Sequence, residues 1–100
     1  MTKPTLKKIL SDLLDRAKAT PGLGVSFNLK HGLTLHMKID LDNTSLLHLG
    51  ISRHETDPSE KEWDIVCRDC GLPKVSYSKR EYKDRKYLVA EFNLQPELIS

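Results

Sequence analysis

The chain has 100 residues, 38% of them hydrophobic and 30% charged, with a formal net charge of +2. That is enough for one two-layer core, too little for a second, and too apolar for a wholly disordered chain. No apolar run approaches the ~18–20 residues that cross a bilayer, and Met1 to Ala19 is too charged for a secretory signal. One complete cytoplasmic domain, without membrane association, is therefore expected.

From Pro4 to Ala19, apolar Leu6, Ile9, Leu10, Leu13, Leu14 and Ala17 recur at three- and four-residue intervals among charged residues, which predicts an amphipathic helix. Thr20-Pro21-Gly22 should end it. The period then falls to two. Val25, Phe27 and Leu29 alternate with polar residues, followed by Leu33, Leu35, Met37, Ile39 and Leu41, and then by Leu47, Leu49 and Ile51. A two-residue turn at His31-Gly32 would place the first two apolar sets on opposite faces. A three-residue turn, Lys30-His31-Gly32 with a left-handed Gly32, keeps them together. With a second turn at Asp42-Asn43-Thr44, three strands share an odd-numbered apolar face.

Asp57-Pro58-Ser59-Glu60 reads as a helix start, with Asp57 as cap, Pro58 in the first turn and Glu60 completing a capping box. Trp63, Val66, Cys67 and Cys70 make the buried stripe of that helix, and Gly71 with Leu72-Pro73 stops it. A closing strand pair is expected over Lys74 to Ser78 and Lys86 to Leu94, joined by the charged segment and ended by Pro96.

The spacing of the only two cysteines, in Cys67-Arg68-Asp69-Cys70, admits three readings. A redox couple needs its attacking thiol at a helix N-terminus, and these fall in the last turns, where the dipole opposes thiolate. A structural zinc site needs a second paired ligand set, which His31, His36, His48 and His54 do not supply. Packing beside Trp63 is the reading adopted, with no metal and no cofactor. Ser52-Arg53-His54-Glu55 with Asp57 holds the residue types of a nucleophile and base but lacks a glycine elbow or oxyanion signature, so it reads as a solvated strand end. No phosphate loop, His-Glu-x-x-His helix or dinucleotide fingerprint is present, and an enzyme is not expected.

Two surfaces remain for function. Lys74 to Tyr87 carries six basic and two acidic residues, net +4 against −2 elsewhere. Here Lys79, Arg80, Lys83, Arg85 and Lys86 interleave with Tyr77, Tyr82 and Tyr87, a composition suited to phosphates and exposed bases, or to a solvated hairpin tip. The second is the even-numbered face of the meander, with Asn28, Lys30, Thr34, His36, Lys38, His48 and Ser52.

The order helix, three-stranded meander, helix over residues 4 to 70 looks like the double-stranded-RNA-binding domain. In that family the second helix opens with a lysine-rich phosphate clamp. Here it opens Asp57-Pro58-Ser59-Glu60-Lys61-Glu62, which repels phosphates, so the activity is not carried over. Leu47-His48-Leu49-Gly50-Ile51-Ser52-Arg53 followed by Pro58-Ser59-Glu60-Lys61-Glu62-Trp63 resembles small uncharacterised proteins of phages and prophages, in which a strand ending Ser-Arg or Ser-His leads into a Pro-Ser or Pro-Thr helix start. That resemblance implies a bacterial or phage accessory protein and brings no activity.

The expectation is an α+β two-layer sandwich, ordered α-β-β-β-α-β-β, with both helices on the odd-numbered face of a mainly antiparallel sheet. Its core should hold Leu6, Ile9, Leu10, Leu13, Phe27, Leu35, Met37, Ile39, Leu49, Ile51, Trp63, Val66 and Cys67. A non-enzymatic protein-binding accessory domain is expected, with a second protein or a second copy as partner. The alternative is weak nucleic-acid binding through the basic, tyrosine-bearing segment.

Overall fold

In the computed structural model, which describes residues 5–72 and 76–94, the first helix (α1) spans Leu6–Ala19. Thr5 caps it by accepting the Lys8 N–H, one residue after the predicted start at Pro4, which lies outside the described residues. Leu10, Leu13 and Ala17 are buried, with Leu6, Ile9 and Leu14 packed partly against the same core.

The meander follows as β1 (Val25–Asn28), β2 (Thr34–Ile39) and β3 (Leu46–His54). The three-residue turn holds: Leu29 donates its N–H to the Leu33 carbonyl at 2.6 Å, and odd residues face odd ones, Phe27 opposite Leu35 and Leu35 opposite Ile51. His31 is left-handed as well as Gly32, at φ 60° and 75°. Phe27 departs from its predicted core position. It faces the core side, opposite Leu35, but β1 is an edge strand of the sheet, and 41% of the residue stays exposed. Leu41 lies beyond the end of β2 and is 70% exposed, while Leu33 is buried.

The second helix (α2, Glu60–Asp69) starts two residues later than the Asp57 cap predicts. Ser59 accepts the Glu62 N–H, and the Glu62 carboxylate accepts the Ser59 N–H in return, a capping box one frame along. Tertiary structure chooses this frame, because in it Glu62 also takes both guanidinium nitrogens of Arg53 from β3, at 2.8 and 2.6 Å. Those bonds hold the Glu62 carboxyl down at about 2. Pro58, buried, sits just before the cap rather than in the first turn. At the other end the predicted glycine stop is present in full: Gly71, at φ 72°, donates to the Arg68 carbonyl and Leu72 to that of Cys67, the paired bonds of a Schellman ending.

The largest departure is in the last strand pair. The charged segment expected as a connection is itself strand: β4 runs Ser78–Tyr82 and β5 Arg85–Asn93, joined only by Lys83-Asp84 with Lys83 left-handed at φ 55°. The predicted start of this pair at Lys74 lies outside the described residues.

All pairings are antiparallel, in the order β1-β2-β3-β5-β4. The element order α-β-β-β-α-β-β is that of an α+β fold, with both helices packed on the odd-numbered face of the meander. Leu35, Met37, Ile39, Leu47, Leu49 and Ile51 meet Leu88 and Phe92 of β5 beneath Trp63, Val66 and Cys67. The Trp63 ring stacks on Phe92 with centroids 6.5 Å apart and meets the edge of Tyr77 at 5.9 Å. Among the described residues no helix is long and apolar enough to cross a membrane.

Candidate functional site

Because both helices lie on one side, the other side of the sheet is left open, and register decides which residues share it. The two-residue turn at Lys83-Asp84 places Tyr82 opposite Arg85 and Arg80 opposite Tyr87. Parity therefore changes between β4 and β5, so Ser78, Arg80 and Tyr82 share the open face with Arg85, Tyr87, Val89 and Glu91. The pairing of β5 with β3 aligns these with Ser52, Gly50 and His48, and β2 adds Thr34, His36 and Lys38. The two surfaces that look separate in the sequence are thus one surface.

The same parity divides the basic segment. Lys79 and Lys86 stand on the helical side of the sheet and Lys83 lies in the turn, its ammonium 5.4 Å from the Tyr82 ring. Tyr77 packs on Trp63 instead of joining the open face. Lys30 is in the β1–β2 turn, off the face on which the sequence places it, whereas Asn28, opposite Thr34, is on that face.

A hydrogen-bond chain crosses four strands at one end of this face. Arg85 donates from Nε and Nη2 to Ser52 Oγ, at 3.2 and 3.0 Å, and from Nη2 to Thr34 Oγ1 at 2.9 Å. Thr34 in turn donates to Asn28 Oδ1 at 2.9 Å. With its lone pairs taken by Arg85, the Ser52 hydroxyl donates to His36 Nε2, 2.7 Å away, which assigns the His36 proton to Nδ1. Burial, and then the Arg85 charge, lower the His36 pKa and favour this neutral form. Ser52 is 0% exposed, so the strand end read as solvated is a buried polar centre. A serine hydroxyl so enclosed and doubly engaged by a guanidinium anchors the sheet; it does not present a nucleophile.

At the other end of the face His48 stands between two carboxylates, its Nε2 3.3 Å from Asp40 Oδ1 and its Nδ1 3.7 Å from Glu91 Oε1. Asp40 also accepts the N–H groups of Asp42 and Asn43, and the His48 bond with these lowers its pKa.

Between these ends the cross-strand row Ser26, His36, Gly50, Val89 and Ser78 is low, since Gly50 has no side chain and the serines are short. The result is a trough of about 840 Å³. Tyr87 and Arg80 form one wall, Lys38, His48 and Glu91 the other, and Val89 the apolar part of the floor. A Cβ at Gly50 would stand 3.1 Å from Val89 Cγ1, so glycine sets the depth here. The volume lies within the range of about 300–1,000 Å³ common for ligand pockets. Arg80 and Lys38 are exposed and make no hydrogen bond or ion pair among the described residues. Gly50 and Val89 were not singled out from the sequence, while Arg85, read there as a nucleic-acid contact, stands in the hydrogen-bond chain to Ser52 and Thr34. The length of the Lys83-Asp84 turn is the signal that could have given the phase of β4.

Cys67 is buried and Cys70 half-buried at the end of α2. Burial, then the Asp64 charge, pushes the Cys67 thiol up to about 11; burial, then Cys67 and Asp69, pushes Cys70 up to about 12. Both are protonated near neutral pH, the opposite of a redox-active pair. Among the described residues no group of three or more His, Cys, Asp or Glu could hold a metal ion.

Fold and face together define an α+β sandwich with one sheet surface covered by helices and the other open and polar. In comparison with known proteins the chain matches no family model, and neither curated proteins nor solved structures give a significant match.

Proposed function

We propose that this chain is a small non-enzymatic binding domain, an accessory protein of bacterial or phage type acting in the cytoplasm, and that its working surface is the open face of the sheet. The observation that carries this reading is the convergence, through register, of Arg80 and Tyr87 with His36, Lys38 and His48 around one trough, with Tyr82 on the same face one position beyond it. Both partner classes anticipated from the sequence, a protein (a second copy included) and a nucleic acid, would meet the domain here. The hydrogen-bond chain from Arg85 to Asn28 supports it, because it stiffens the face across four strands and lessens the ordering cost of binding. The free thiols suit a reducing compartment.

The test compares charge reversals on the two sides of the molecule. Lys38→Glu/Arg80→Glu alters the face, and Lys7→Glu/Lys18→Glu alters exposed positions of α1. Macromolecules retained from a lysate of the native host, and self-association by sedimentation, are measured for both. The face variant should lose what the parent retains, while the α1 variant keeps it. The reverse pattern, or equal loss from both, would reject the face as the working surface.

A further inference from the structure

We infer that the ligand of the open face is single-stranded nucleic acid, with its bases on Tyr82 and Tyr87 and its phosphates on Arg80 and Lys38. This rests on the reading of that face as the binding surface and adds the chemistry of the occupant. Arg80 lies opposite Tyr87, and Tyr82 opposite Arg85, so cations and rings alternate both across and along the β4–β5 pair. Opposed positions on one face are about 5 Å apart and successive ones on a strand about 7 Å apart, a spacing at which one nucleotide meets a ring and a cation together. Tyr82 is 66% exposed, with the Lys83 ammonium 5.4 Å from its ring centroid on one face, which leaves the other face to stack. Tyr87 is half-buried against His36, with ring centroids 5.4 Å apart, which fixes the position of its ring.

The charge pattern selects the class of partner. Glu91 and Asp40 both stand at His48, whereas Arg80 and Lys38 face the trough from opposite walls without a carboxylate of their own among the described residues. Those walls are four residues apart along the strands, roughly 13 Å, a width that admits an extended strand with its bases down on Val89 and Gly50. A duplex keeps its bases stacked inside and could offer this surface only its phosphates. The track therefore crosses the sheet, and Lys79 and Lys86, on the helical side, are bystanders despite their place in the basic segment.

The experiment is fluorescence anisotropy with labelled oligo(U) and oligo(dT) 12-mers and a mixed-sequence duplex of equal length, across a range of salt. The parent should bind the single strands more tightly than the duplex, with affinity falling as salt rises. Arg80→Ala and Lys38→Ala should each lower the salt slope by about 0.7. Tyr82→Ala should weaken binding at least about fivefold. The double variant Lys79→Ala/Lys86→Ala should bind within about twofold of the parent. Loss of binding in that variant with retention in Arg80→Ala/Lys38→Ala, or a duplex preference, would overturn the assignment. So would absence of oligonucleotide binding at low salt. If that absence accompanies a protein partner lost from Lys38→Glu/Arg80→Glu, the face stands as the binding surface and only the nucleic-acid assignment falls.

Discussion

Two residues show how context converts an ordinary side chain into part of a mechanism. Ser52 ends a strand motif with no distinguishing sequence, yet Arg85 saturates it from one side and it donates to His36 on the other. A protonated His36 would bring a second cation beside Arg85 and replace an acceptor with a donor that Ser52 cannot serve. The sign of the pH effect follows. Above about pH 6.5 the imidazole is neutral in both the folded and unfolded chains; as pH falls the unfolded chain takes up the proton first, so stability declines until the lowered folded pKa is passed. Thermal melts of the parent should therefore show a loss between about pH 7 and 5 that is smaller in His36→Gln. Parallel curves for the two proteins would contradict the tautomer and the network. His36 was legible as a polar-face residue from parity alone; its partner was not, because Ser52 and His36 meet only across a strand pair.

Elements were read well wherever a local signal was unambiguous and less well where two signals competed. α1, the three-residue turn and the Gly71 stop each rest on one short-range cause. At the start of α2 the sequence is read with Asp57 and Glu60 as the capping box, whereas the structure uses Ser59 with Glu62. Arg53 favours that frame from a different element. Ser59→Ala should accordingly cost about 1 kcal/mol in urea or thermal unfolding. Asp57→Ala should stay within about 0.5 kcal/mol of the parent, as an exposed residue outside the cap does. Equal effects from the two substitutions would show the caps to be shared. The β4–β5 hairpin misled for a related reason: a run of charge suggests a loop, but at the margin of a sheet charged side chains also protect a strand edge from pairing.

On the scale of the whole molecule, the helical layer organises everything else, and Trp63 is its keystone, 0% exposed and in ring contact with Phe92 and Tyr77. Trp63→Ala should cost on the order of 3 to 5 kcal/mol, measured by chemical denaturation, and a variant as stable as the parent would displace Trp63 from the core. Most of the predicted core is buried as expected, and Leu47, Leu88 and Phe92 join it. Phe27 falls short because alternation tells which side a residue faces and not how deeply it is covered at an edge strand. By itself the sequence determined the periods, the stops and the face of each meander strand, since these follow from backbone geometry over a few residues. Only the tertiary structure decided that β5 lies beside β3, and hence that Arg80 and Tyr87 stand with His36 and Lys38 around one trough. Strand order is set by long-range burial against α1 and α2, and no local pattern carries it.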